Sequence, residues 1–159
     1  MNRRLRTLVH DTDFKSDCYE KEQLEFGLAC IDRIAHLLID ERLISTTECT
    51  RQFINDKVSS DTHQKHIQQA KEIAQSHAGT NGIDGAGNAA VSATFALTKA
   101  LAGDVINGAE YAAYAMIYSY ASHTVTDPNA YKVEYEWQVA ALQKILHKSN
   151  IQSKTKQQS

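Results

Sequence analysis

The chain has 159 residues, 42% of them hydrophobic and 23% charged, values close to the average for globular domains. That composition excludes a disordered chain, a membrane span of roughly 18 consecutive apolar residues, and a scaffold that needs disulfides to fold. A net charge of −2 leaves no global field to attract nucleic acid.

Residues 1–18 read as an N-terminal arm. The start, Met1-Asn-Arg-Arg-Leu-Arg6, is basic, but Thr7-Leu-Val-His-Asp-Thr-Asp13 supplies neither the apolar segment nor the cleavage site of a secretory signal. A cytoplasmic protein is expected. The three cysteines, Cys18, Cys30 and Cys49, agree, because their number is odd and no Cys-x-x-Cys occurs.

The first helix is expected from about Glu20 to Ile44. Leu24, Leu28, Ile31, Ala35 and Leu38 recur at helical spacing, with Gly27, Cys30 and Ile34 widening the apolar stripe. Ser45-Thr-Thr-Glu48 has the form of a capping box and should open a short second helix. Ser59-Ser-Asp61 offers the next cap, for a helix to about Ser76 that buries Ile67, Ala70, Ile73 and Ala74. Four glycines between Gly79 and Gly87 then predict a loop.

Two alanine-rich helices follow, about Asn88 to Ala102 and Val105 to Ser122, separated by a Gly103-Asp104 stop and start. Alanine lets helix axes approach closely, so these form a central pair. Asp127-Pro128 opens the last helix, which carries Tyr131, Tyr135, Val139, Leu142, Ile145 and Leu146. No segment alternates with the period of a strand. The expected fold is all-α: one bundle of about six helices over residues 1–148, with 149–159 as a disordered polar tail.

Several constellations could carry chemistry. His63 and His66, three apart beside Asp61, could share a metal on one helix face; otherwise they are solvent-facing histidines near a helix start. Gly85-Ala-Gly-Asn-Ala-Ala90 has the spacing of a dinucleotide fingerprint, but a helical pattern precedes it where that site needs a strand. Tyr111, Tyr114 and Tyr118, with Tyr120, Tyr131, Tyr135 and Trp137, are either boundary aromatics or an interface hot spot. Glu134 and Glu136 point to different sides of their helix. No catalytic motif with its required context is present, so no enzyme activity and no cofactor are expected.

Charge is unevenly spread. Residues 11–56 hold eleven acids against five bases, which is either a solvated helix surface or a patch for a basic partner. Glu22, Glu25, Asp32, Asp40, Glu41 and Glu48 are the candidate contacts.

Two segments carry a resemblance. Phe26-Gly-Leu-Ala-Cys-Ile-Asp-Arg-Ile-Ala35 resembles the aromatic-x-x-x-Cys-Ala-x-Arg-Val-Leu segment in the first helix of a family of immunity proteins from bacterial polymorphic toxin systems, with Ile31 where that pattern has alanine. Glu134-Tyr-Glu-Trp-Gln-Val-Ala-Ala-Leu142 is similar to the family's closing segment around Trp-Gln. His77 and the alanine- and tyrosine-rich stretch from Ala109 to Ala115 also fit, so the resemblance covers about residues 20–146. It implies a helical, non-enzymatic antitoxin that binds a cognate toxin domain inside the producing cell; the apolar runs and the net charge give no expectation of a membrane or nucleic-acid partner. Cys30, Arg33, Ile34, Trp137 and Gln138 carry the signature and read as structural, core or boundary positions. The alternatives are a small metal protein or enzyme using His63, His66 and perhaps His77, a self-associating helical regulator or homodimer, and a regulator that binds nucleic acid through its basic ends.

Overall fold

The centre of the molecule is a pair of helices built largely from alanine. The computed structural model describes residues 1–77 and 85–158, and among them there is no strand. The fold is all-α. In chain order the helices are α1 (Arg3–Asp11), α2 (Glu20–Arg33), α3 (Glu41–Ile54), α4 (Ser60–Ser76), α5 (Gly85–Leu101), α6 (Val105–Ala121) and α7 (Lys132–Gln158).

Helices α5 and α6 pack along their length. Ala93, Ala96, Leu97 and Ala100 of α5 and Ala109, Ala112, Ala113 and Ala115 of α6 are all buried. Gly103, at φ 76, makes the turn between them in the left-handed region that glycine adopts without strain. Asp104 caps α6 by accepting from the Asn107 amide.

One residue, Ala100, marks where three helices come closest. A Cβ at Gly108 of α6 would lie 3.2 Å from the Ala100 backbone nitrogen. A Cβ at Gly27 of α2 would lie 2.7 Å from the Ala100 Cβ. At Gly27 no side chain fits, and at Gly108 a Cβ would require the Ala100 backbone to give by a few tenths of an ångström. Around this junction Phe26, Ile31, Ile34, Leu43, Leu97, Ile106 and Leu142 form one continuous core with Leu5 and Val9 of α1.

The structure redraws the expected boundaries in four places. First, the stretch from Glu20 to Ile44 is not one helix. It ends at Arg33, passes through a 3-10 turn at Ala35–Leu37, and restarts at Glu41. Asp40 is the reason for the restart: its carboxylate accepts from the Arg42 amide and pairs with the Arg42 guanidinium at 2.7 Å. The bend buries Leu38 and Leu43 together and leaves Ala35 exposed.

Second, Ser45-Thr-Thr-Glu48 lies inside α3 and caps nothing. Thr46, Thr47 and Thr50 instead donate to the carbonyl oxygens of Arg42, Leu43 and Thr46, one turn back, which satisfies hydroxyls buried in the interface. Third, the expected arm contains α1, whose cap Asn2 accepts from the Leu5 amide and whose Leu5 and Val9 are buried. Fourth, residues 149–158 continue α7 where a disordered tail was expected; Ile151 to Gln157 are exposed along it.

The glycine-rich loop expected from Gly79 falls outside the described residues as far as position 84. Helix α4 precedes it, so the Gly-x-Gly-x-x-Ala spacing at Gly85 is not preceded by a described strand.

Candidate binding cleft

The acidic candidates do not form one free patch. Asp32 on α2 pairs with Arg51 on α3 at 2.8 Å, and Glu48 reaches the same guanidinium at 3.6 Å. Asp40 is held by Arg42, which keeps its carboxyl below the usual carboxylate range. Glu22 accepts from the Ser149 hydroxyl of α7. Glu41 lies in the first turn of α3, where an acid suits the helix dipole. Glu25 is half-buried on α2. The structure therefore brings Asp32 and Glu48 together around Arg51 and leaves the others apart.

The signature residues, in contrast, converge. Arg33 donates through Nε to Glu134 Oε2 at 2.9 Å and through its second arm to Glu134 Oε1, a bidentate pair between α2 and α7. The same guanidinium lies over the Trp137 ring, 4.4 Å from its centroid. Ile34 and Cys30 are buried, and burial pushes the Cys30 thiol up to about 12, helped by the Glu134 charge. Gln138, only 2% exposed, donates to the Ala109 carbonyl oxygen of α6 and accepts from the Asn2 side chain. These residues lock α7 to α1, α2 and α6. Glu136 faces solvent while Glu134 is buried, as their spacing requires.

His63 is not solvent-facing. It is 2% exposed, its Nε2 lies 3.0 Å from the Thr50 hydroxyl, and its ring stacks on Phe53 with centroids 4.3 Å apart. Burial, then the nearby His66, lowers its pKa. Among the described residues no group of three or more His, Cys, Asp and Glu could hold a metal.

A concavity lies elsewhere, between α5, α6 and the start of α7. Its volume is about 660 Å³, and Tyr111, Tyr114, Tyr131 and Tyr135 converge on it around Glu110. Helix geometry explains this convergence. On α6, Ala109, Ala112, Ala113 and Ala115 are buried in the core, and Glu110, Tyr111 and Tyr114 are left to line the cleft. From the other side, Asp127 accepts from the Asn129 amide and Pro128 opens the turn that delivers Tyr131 and Tyr135.

Each polar group at the floor has a defined partner. Glu110 Oε1 accepts from the Asn2 amide at 2.6 Å, and Oε2 accepts from the Tyr135 hydroxyl at 3.0 Å. The amino group of Met1 donates to the Tyr135 oxygen at 3.0 Å and lies 3.8 Å from Glu110 Oε2. Tyr131 donates to the Val125 carbonyl oxygen. Burial, followed by the Glu110 charge, raises the Tyr135 pKa, and burial also raises those of Tyr131 and Tyr114. The ring pairs Tyr131–Tyr135 and Phe95–Tyr111 pack at 5.4 and 5.6 Å.

Sequence periodicity singled out these tyrosines but not Glu110, whose role depends on a chain crossing that only the folded α1 creates. The arrangement is a helical domain with an aromatic, singly acidic cleft, suited to binding. No family model, curated protein or solved structure matches the chain. Among the described residues, no helix is long and apolar enough to cross a membrane.

Proposed function

We propose that the chain is an immunity-type binding protein that neutralises a cognate toxin domain in the cytoplasm of the cell that makes both. The observation that carries this reading is the tyrosine cleft: a preformed concavity of about 660 Å³ whose aromatic walls surround one carboxylate. Tyrosine supplies large contact area with few torsions to freeze, which is why it concentrates in recognition surfaces. The resemblance of the Cys30–Arg33 and Trp137–Gln138 segments to immunity proteins supports the same reading. Neutralisation by occlusion needs no catalytic group of its own, only an interface on the order of 800 Å² per partner.

On this reading the exposed acids Asp32, Glu41 and Glu48 steer a basic partner and raise its association rate more than its affinity. The test is co-expression of the chain with the toxin domain encoded beside it. Rescue of growth, together with a stable complex of the two purified proteins, is expected. Growth arrest that persists despite abundant folded protein would overturn the proposal.

A further inference from the structure

We propose that the tyrosine cleft is a socket for a primary ammonium group, and that its occupant is a lysine side chain of the protein partner. The inference deepens the binding reading above and rests on it for the identity of the partner.

Charge sets the sign of the ligand. The lining contains Glu110 and no lysine or arginine. The cation already at the lining is the Met1 amino group, 3.8 Å from Glu110. An anionic group entering there would face the Glu110 carboxylate, while a cation that takes the place of Met1 would keep the ion pair and gain the faces of aromatic rings. Hydrogen-bond geometry then chooses between the two cationic side chains. A guanidinium is recognised by a carboxylate with both oxygens open to its fork. Here Oε1 is taken by the Asn2 amide at 2.6 Å, and only Oε2 faces the Tyr135 hydroxyl. The Tyr135 oxygen donates its proton to Oε2, so its lone pairs point outward as acceptors. What remains is a single-point acceptor pair, which suits the compact tripod of an ammonium.

The structure supplies an instance of that recognition. The amino group of Met1 occupies this acceptor pair, 3.0 Å from Tyr135 and 3.8 Å from Glu110. Met1 is an exposed residue, and its amino group sits beyond ideal ion-pair distance from Glu110, so a better-placed ammonium can displace it. Tyr111, 38% exposed, stands at the rim, where an incoming aliphatic stem would lie along its ring.

The experiment uses the full chain alone, with tyrosine rings isotopically labelled. It is titrated with Nα-acetyl-lysine N-methylamide, the uncharged norleucine analogue and the arginine analogue, at matched ionic strength. The expected result is saturable movement of the Tyr111, Tyr114 and Tyr135 ring signals with the lysine probe, at a Kd on the order of 1 mM for so small a ligand. The norleucine and arginine analogues should bind at least about tenfold more weakly, each tenfold being one lost charged contact. Glu110→Gln should abolish the discrimination. Because Glu110 also holds α1, Tyr111→Leu provides a second variant that leaves every floor hydrogen bond in place and should weaken the lysine probe. Equal response to lysine and norleucine probes, a stronger response to arginine, or no saturable response overturns the socket. Loss of probe binding with toxin rescue intact would refute the socket and spare the immunity reading; probe binding without rescue would do the reverse.

Discussion

Exchanging the side chains of Gly27 and Ala100 tests the packing of the bundle at its tightest point. Alanine at position 27 would place its Cβ 2.7 Å from that of Ala100, closer than carbon atoms approach, and the obstacle is the root of a helical residue that cannot swing aside. Overpacking of this kind costs about 1–3 kcal/mol, offset by about 1 kcal/mol of helix propensity gained over glycine. Gly27→Ala should therefore destabilise by roughly 1 kcal/mol, and Ala100→Gly by about 1 kcal/mol through propensity alone. If the two sites were independent, the double variant would lose about 2 kcal/mol. If the clash governs, the propensity terms cancel, the overlap disappears, and the double variant returns to within about 1 kcal/mol of the parent. Urea unfolding of the four proteins measures the coupling. Each kcal/mol also appears as about 2–4 °C in Tm for a chain of this size. Gly108→Ala is the internal control: its Cβ meets the Ala100 backbone nitrogen at 3.2 Å, so Ala100→Gly should not rescue it. Additivity of the Gly27 and Ala100 changes to within about 0.5 kcal/mol would refute the proposed contact.

Other consequences are open to direct measurement. Arg33→Ala strands the Glu134 carboxylate, whose side chain is 8% exposed, and should cost about 2–4 kcal/mol. Replacing both residues by methionine should cost clearly less, and an equal loss would show that the pair carries no burial penalty. The Cys30 thiol, buried and pushed up to about 12, should resist a disulfide reagent until unfolding, while exposed Cys18 reacts at once; rapid modification of Cys30 in the native protein would contradict its burial. His63 gives a pH dependence with a defined sign. Burial lowers its folded pKa below the ordinary 6.5, so the unfolded chain binds the extra proton. Its contribution is complete above 6.5 and is lost as pH falls below that value. His63→Gln should flatten the urea midpoint between neutral and mildly acidic pH, and an unchanged slope would move the acid sensitivity to another group.

Much of the fold was legible because its strongest signals are local. The Ser59 and Asp104 caps and the Gly103 stop all act within one turn of the backbone and stand where the sequence places them, whereas Asp127-Pro128 opens a 3-10 turn over Pro128–Tyr131 and the last helix begins only at Lys132. The errors have a common physical origin. The stretch Glu20 to Ile44 contains no glycine or proline at its break, so periodicity alone runs through it. The missed signal was Asp40 followed by Glu41, a cap and first-turn acid sitting inside an apparently continuous stripe. The opposite error gave Ser45-Thr-Thr-Glu48 a capping role. The Thr46 and Thr47 hydroxyls are satisfied by carbonyls one turn back, a choice made by the helix that surrounds them. Helix α1 is short, but its Leu5, Leu8 and Val9 recur at i, i+3 and i+4, so the signal is present over its nine residues, and only the brevity of the stretch makes it read as an arm. The His63 environment depends on Thr50 and Phe53 of a neighbouring helix, and no local pattern announces it.

The cleft owes its rigidity to the same residues that the resemblance marks as structural. Gln138 ties α7 to the Ala109 carbonyl, one residue from Glu110, and to Asn2, whose amide fixes Glu110 Oε1. Tyr135 lies one turn before Gln138 on α7, and Glu134 beside it is anchored to Arg33. The side chains that line the cleft are thus held from behind by buried hydrogen bonds on three helices. A site supported in this way is preorganised, so little ordering cost is incurred when a partner binds. This accounts for a division of labour along α7 and the 3-10 turn at Pro128–Tyr131 that leads into it. Glu134, Trp137 and Gln138 face inward and fix the helix, while Tyr131 and Tyr135 reach the cleft. A change such as Gln138→Leu should therefore weaken ammonium binding without touching the ligand. It would remove the bond to the Ala109 carbonyl and one of the two acceptors of the Asn2 side-chain amide, which keeps the Tyr135 carbonyl, and so loosen the support behind Glu110. Tyrosine ring signals in a Gln138→Leu variant should broaden or shift before any probe is added, and a variant with parental spectra and parental lysine affinity would show that the cleft stands without this support.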